Sequence, residues 1–325
     1  VNIIRRAAAV AAVTGLAVVG WAVPASSVDA TGGPVGYTVV VGDGGCDLAS
    51  VDLTTGQLTD LPAATSSDAC AVDLAVSPSG TVWGIWGGFT RGTGIGPQAS
   101  EPGVLVRYAA DGSATTVAIT DADGTGDGFL AEGGIAVAPN GTVYVHLVTD
   151  NPACDTGTTP DTTIGLPLYA GDSVCLFTVD PATGAATIVG TTGLFQTVFS
   201  QLAWCGGLLS IADTSGSGEW VTESASTGAV TIGASVDQFP AGYDCDSTTG
   251  SPLYAIVGEG NVLDGASVPA ATSASVATVN PATGATTLVA PLSDPQAEVI
   301  ALAVSATATP PPAVAADTVT PAFTG

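Results

Sequence analysis

VDPATGAATIVG, residues 179–190, and VNPATGATTLVA, residues 279–290, are two spellings of one β-hairpin. In each, Asp180 or Asn280 can accept a backbone N–H two or three residues on. Pro181 or Pro281 presets φ for the next turn position, and Gly184 or Gly284 can take a positive φ. β-branched residues alternate on both sides of the turn, as strands require. Weaker copies stand at Asp52–Gln57 (DLTTGQ), Ala109–Ser113 (AADGS) and Ala225–Ala229 (ASTGA). Five hairpins of one kind mark a repeat protein, in which a unit buries its apolar faces only against its neighbours.

Working outward from the hairpins, each unit reads as four strands, a to d. The second unit is predicted at Val72–Val76, Thr81–Trp86, Val104–Tyr108 and Ala114–Ile119, and the third at Gly134–Val137, Thr142–Val148, Val174–Val179 and Ala185–Val189. The fourth falls at Gln201–Trp204, Leu208–Ala212, Glu219–Glu223 and Ala229–Ile232, and the fifth at Gly242–Cys245, Leu253–Val257, Ala274–Val279 and Thr286–Val289. Tyr37–Val41, Leu48–Asp52 and Gln57–Leu61 supply b, c and d of a unit that lacks its a strand, and Val299–Val304 is an a strand with nothing after it. Joined, the two ends complete a unit and remove the free sheet edges that invite aggregation. The expected fold is all-β: a single β-propeller of five four-stranded blades closed by pairing of the N- and C-terminal strands. A sixth blade hidden within 191–238 is the alternative count.

The a–b segments LAVSPSGTVWGI (74–85) and IAVAPNGTVYV (135–145), with the c–d hairpins, resemble secreted bacterial β-propellers over residues 37–305. The resemblance implies the fold and carries no catalytic residues over, because such scaffolds host many unrelated functions.

Arg5 and Arg6 precede an apolar run from Ala7 to Val23, followed by small residues around Ala25 and Ala30. Residues 1–30 are read as a secretory signal peptide, with a membrane anchor as the other reading. The propeller is expected over 31–305, and residues 306–325, rich in Pro, Ala and Thr, form an extended tail. The ending Pro321-Ala322-Phe323-Thr324-Gly325 looks like a sortase motif, but Pro321 stands where Leu is expected. The protein is therefore expected outside the cell, with association to the cell surface as an extension of that reading.

Six cysteines in an exported chain imply disulfides. Placing Cys46 in the first b–c loop and Cys70 in the next d–a loop puts them on one face of neighbouring blades. Cys154 and Cys175 fall in one b–c loop, and Cys205 and Cys245 both follow strand a in adjacent blades. The predicted bridges are 46–70, 154–175 and 205–245.

There is no Lys, Arg91 and Arg107 are the only basic residues beyond the signal segment, and the net charge is -25. Nucleic acid, which needs a basic footprint, is excluded as a partner, and so are anionic membranes. No stretch after the signal segment is long and apolar enough to span a bilayer. The mature chain is expected to be a monomer.

Asp121, Asp123, Thr125, Asp127 and Glu132 follow the spacing of a calcium loop, with Gly126 at its sixth position. Calcium is the one cofactor this pattern suggests. A solvated acidic loop is the plainer reading.

For catalysis, Asp73, Glu132, Gln201, Asp244 and Glu298 lie in or just before a strands, where carboxylates could flank a glycosidic bond. The plain alternative is polar strand ends wetted at a channel mouth. His146 lies on a b strand away from that mouth, as a surface or packed histidine. Trp83, Trp86, Trp204 and Trp220 could stack on sugars, though strand tryptophans commonly pack in cores. Phe89 and Arg91 share the long loop 87–103. Together with 149–173 and 258–273, that loop makes one face the place for a ligand. The chain is read as an extracellular binding module for a glycan, a cell-wall component or a surface protein. A polysaccharide-active hydrolase or lyase using channel carboxylates is the alternative, and a structural spacer the third.

Overall fold

The computed structural model describes residues 33–42, 45–61, 71–86, 103–109, 114–120, 134–149, 153–154, 173–192, 199–212, 218–246, 249–258, 274–294 and 297–305. Their regular structure is β throughout. In the first blade β1 (Val35–Gly42), β2 (Gly45–Asp52) and β3 (Leu58–Asp60) extend outward from β20 (Glu298–Ser305). The second runs outward through β4 (Ala71–Val76), β5 (Val82–Trp86), β6 (Val104–Tyr108) and β7 (Ala114–Ala118). The third comprises β8 (Ile135–Val137), β9 (Val143–Thr149), β10 (Ser173–Val179) and β11 (Ala186–Thr191). In the fourth are β12 (Phe199–Trp204), β13 (Leu208–Ala212), β14 (Glu219–Glu223) and β15 (Val230–Ser235). The fifth holds β16 (Gly242–Cys245), β17 (Leu253–Val257), β18 (Ser275–Val279) and β19 (Thr286–Pro291).

The inner strands meet in a closed cycle: β20 touches β4, β4 touches β8, β8 touches β12, β12 touches β16, and β16 returns to β20. This is a five-bladed β-propeller. Residues 199–235 make one sheet, which removes the sixth-blade alternative. The closing seam pairs Val35 with Ser305, Tyr37 with Ala303 and Val41 with Glu298.

Packing explains the strand compositions. An inner strand lies between two neighbours and buries both faces, so β4 reads AVDLAV and β8 reads IAV. The outer strands β7 and β19 are mostly exposed. Between blades the facing side chains fuse into separate apolar cores. Tyr37, Leu48 and Ala301 meet Leu74 and Val106, whereas Ile85 and Leu105 meet Val145 and Phe177. Ala136, Tyr144 and Leu176 meet Leu202 and Leu208; Leu209 and Trp220 meet Tyr243 and Ala255; Ile256 and Val276 meet Val51 and Val299.

The hairpin motif has a second task. The Asp180 carboxylate accepts the Ala182 N–H at 2.8 Å, as Asn280 does from Ala282 at 3.0 Å and Asp52 from Thr54 at 2.8 Å. Gly184, with φ 78°, then lies against the end of the preceding blade's outer strand, where a Cβ would run into the Ala118 carbonyl oxygen. Gly284 meets Ser235, and Gly56 meets Pro291, in the same way. The N–H of Thr120 donates to the Gly184 carbonyl, and that of Ser293 to Gly56. Each of these turns pins its blade to the previous one.

Several strand limits differ from the sequence reading. β1 and β2 are longer than expected, and β3 is shorter. Cys46 lies within β2, opposite Val41, rather than in a b–c loop, because the first two strands stay paired as far as Gly42 and Gly45. Likewise Cys175 lies inside β10. The bridges Cys154–Cys175 and Cys205–Cys245 are formed as expected. Cys46 is disulfide-bonded, and its expected partner Cys70 lies outside the described residues. Among the described residues no helix is long and apolar enough to cross a membrane.

Candidate functional site

Three a-strand side chains singled out in the sequence converge on the ring axis. β4 shifts register between Ala71 and Asp73, and β12 between Ser200 and Leu202. Such irregularities re-aim side chains, and here they accompany Asp73 and Gln201. Gln201 itself has φ 37°, a conformation unusual for a residue other than glycine.

Asp73 is fully buried. One carboxylate oxygen accepts the Leu74 N–H at 2.8 Å; the other accepts those of Ile135 at 2.7 Å and Leu202 at 2.9 Å. The side chain of β4 therefore holds β8 and β12. Gln201 continues the chain of contacts. Its Nε2 donates to the Ile300 carbonyl at 2.6 Å and the Ala241 carbonyl at 2.9 Å, while its Oε1 accepts the Tyr243 N–H at 2.9 Å. The Tyr243 hydroxyl returns a bond to the Gln201 carbonyl at 2.7 Å. Asp244 accepts the N–H of Cys245 and that of Val304, each at 2.8 Å, which ties β16 to β20. Three side chains thus link the inner strands of all five blades.

Burial pushes the carboxyl of Asp73 well above its ordinary range, against the pull of its three N–H donors, and the Asp244 charge adds to the rise. Asp244 is raised for the same first reason, with its two N–H donors opposing and Asp246 adding. The surrounding main chain is close. A Cβ on Gly134 would collide with Gln201 and Leu202, and one on Gly242 would lie 2.5 Å from the Ala301 carbonyl carbon. The expectation of wetted polar ends is therefore corrected for these residues: close backbone packing excludes solvent, leaving Asp73 unexposed and Gln201 and Asp244 each 7% exposed. At the seam the β1–β20 register shifts between Thr38 and Val40, and the buried Thr38 hydroxyl donates to the Ala301 carbonyl at 2.5 Å.

A second polar cluster sits between the third and fourth blades. His146 of β9 lies opposite Leu176, and Glu223 of β14 opposite Leu208, both leucines of the core between these blades. Nε2 of His146 and Oε2 of Glu223 are 2.6 Å apart, with both side chains fully buried. His146 is thus a packed residue with an acidic partner, which the sequence reading missed. The EWVTE spacing of β14 was the available signal, since it puts Glu219 and Glu223 on one face of a strand.

Among the tryptophans, Trp220 is buried edge-on to Tyr243, with ring centroids 5.0 Å apart, and half-buried Trp204 stacks on Tyr144 at 5.8 Å. Trp83 is half-buried against the core between the second and third blades. Glu298 opens β20. The acidic loop with Asp121, Asp123, Thr125, Asp127 and Glu132 lies outside the described residues, as do Phe89 and Arg91.

No protein-family model matches the sequence, and no curated protein matches it. Among solved structures, the chain is similar to TolB from Acinetobacter baumannii, at 12% identity and TM-score 0.42 over 80% of this chain and 53% of that one. It is similar to a Dyadobacter fermentans protein of unknown function, at 13% identity and TM-score 0.43 over 76% of this chain and 72% of that one. Likeness extends to virginiamycin B lyase from Staphylococcus aureus, at 15% identity and TM-score 0.35 over 79% and 69% of the two chains. This chain spans about half the length of the TolB it matches. At such identities these likenesses carry no functional residue across.

Proposed function

We propose that the chain is an extracellular binding module: a disulfide-clipped ring that presents its long b–c connections to a glycan, a cell-wall component or another surface protein. The observation that carries this reading is the state of the axial carboxylates. Asp73 and Asp244 are engaged by main-chain N–H groups and enclosed by neighbouring inner strands. Acid–base cleavage of a glycosidic bond needs two carboxyl groups about 5–9.5 Å apart with sugar, and in inverting enzymes water, between them. The bridges Cys154–Cys175 and Cys205–Cys245 support an oxidising compartment. Connections after β5, β9 and β17 all leave from the same end of their sheets, so insertions there collect on one face.

The test is a glycan array and a polysaccharide digestion screen on the secreted chain, each run with and without EDTA. Binding without cleavage supports the module, and released oligosaccharide would refute it in favour of a hydrolase or lyase. Loss of thermal stability in EDTA would support calcium on Asp121, Asp123, Thr125, Asp127 and Glu132. An unchanged melting curve would count against it.

A further inference from the structure

We propose that Asn140 is a site of spontaneous modification, at which the chain converts its own side-chain amide to aspartate and isoaspartate. Elementary chemistry selects the residue. A backbone nitrogen that carries a hydrogen can attack the carboxamide of the asparagine before it, and glycine, without a Cβ, leaves its nitrogen most open. Of the five asparagines, Asn151 and Asn280 precede Pro152 and Pro281, whose ring nitrogens have no hydrogen to give. Asn2 and Asn261 precede β-branched Ile3 and Val262, which crowd the approach. Asn140 alone precedes a glycine.

The turn itself adds two observations. Asn140 is exposed between β8 and β9, and its Oδ1 accepts the Thr142 N–H at 3.0 Å. That donor is aimed at the oxygen that gathers negative charge when Cγ is attacked. Asn280 makes the same bond to Ala282, also at 3.0 Å, so the two asparagines differ in the nitrogen that follows and not in this contact. The Gly141 N–H donates to the Ala138 carbonyl at 2.8 Å, so the turn has to open before the nitrogen can attack. Opening is easy here. Nothing lies within 4 Å of the place a Cβ would take on Gly141, whereas Gly184 and Gly284 are pressed against the preceding blade. Exposed turns held by few contacts open at little free-energy cost.

The reaction balances with water as the only co-reactant. The Gly141 nitrogen bonds to Asn140 Cγ, the Cγ–Nδ2 bond breaks, and Nδ2 leaves as ammonia, taking the proton of the Gly141 N–H. Water then opens the cyclic imide. Attack at Cγ gives aspartate, and attack at the main-chain carbonyl gives isoaspartate, whose backbone runs through Cβ and Cγ. The longer route shifts the turn that sets the Ala138 N–H on the Thr142 carbonyl, next to the pairing of Val137 with Val143. Either product adds a negative charge to a chain already at -25. The site acts on the third blade alone, whether or not the ring binds a ligand.

Peptide mapping by mass spectrometry tests it, on the secreted chain held in warm, mildly alkaline buffer and on the same chain unfolded in guanidinium. The expected result is replacement of the amide by an acid at Asn140, with isoaspartate among the products. The folded rate should lie within about tenfold of the unfolded one, because the turn opens readily. Asn280 should keep its amide in both. In the fraction carrying isoaspartate, hydrogen exchange at the Ala138 N–H should speed up. Asn140→Ser, which keeps a turn-forming side chain, should give no product at this position and no change of exchange with time. An Asn140 that stays intact in the folded chain while the unfolded chain converts would overturn the proposal. So would conversion of Asn280 at the same rate.

Discussion

His146 of the third blade and Glu223 of the fourth meet at 2.6 Å with neither side chain exposed. They are an ionisable pair set against the apolar core of that blade interface. Removing one partner leaves the other polar group buried without it, which costs about 3–5 kcal/mol. His146→Leu and Glu223→Leu are each expected to destabilise by that order in urea unfolding. The double variant should recover a large part of the loss, because an apolar replacement of the whole pair is tolerated. Additive losses would show that the two groups do not act together.

Asp73 gives the fold a pH dependence of definite sign. Burial raises its carboxyl above the ordinary value of 3.8, so the folded chain holds this proton more tightly than the unfolded one. The group's contribution is full below the unfolded value and is lost as pH rises through the folded value. This group's contribution to the unfolding free energy is expected to fall as pH rises above its ordinary value of 3.8. Asp73→Asn, which cannot ionise, should flatten part of that decline while lowering stability overall. Parallel pH profiles for the two proteins would refute this.

Two glycines separate backbone strain from packing. Gly141, φ 85°, has nothing within 4 Å of where a Cβ would stand, whereas Gly184, φ 78°, faces the Ala118 carbonyl. Gly141→Ala should cost about 1–2 kcal/mol for the left-handed conformation alone. Gly184→Ala should cost clearly more, and should speed hydrogen exchange at Thr120, whose N–H bonds the Gly184 carbonyl. Equal costs would mean that the hairpin does not pin the second blade to the third.

The two bridges differ in reach. Cys205–Cys245 spans 40 residues and Cys154–Cys175 spans 21. On the chain-entropy model, replacing the first pair by Ser should cost about 4 kcal/mol and the second about 3 kcal/mol. Chemical denaturation of the two double variants checks the order. A reversed order would mean that native contacts, not loop length, set their worth.

The architecture was legible because each repeat writes its turn in residues that do little else. Pro181 with Gly184 and Pro281 with Gly284 mark hairpins wherever they occur, and orphan strands at the two ends left closure as the natural solution. The disposition of Asp73, Gln201 and Asp244 was half legible. Their place near the axis follows from strand order, but their targets depend on register shifts in β4 and β12 that no local pattern announces. The partner of His146 was hidden for a related reason. Residues 77 apart meet only through the stacking of two blades, and that alignment is a product of the whole ring. Cys46 was misplaced because Gly42 and Gly45 make a connection much shorter than the other b–c segments.

The seam has a practical corollary. β20 ends at Ser305 directly across from Val35, where β1 begins, so the polypeptide enters and leaves the described ring side by side, at the end where the a–b and c–d hairpins turn. A biotin, fluorophore or sensor-chip linkage placed at the Val35 or Ser305 end of the ring would hold it by that side. The opposite side, with its long insertions, would then stand open to an analyte, and a hairpin-side tether that abolished capture would place recognition beneath the ring instead.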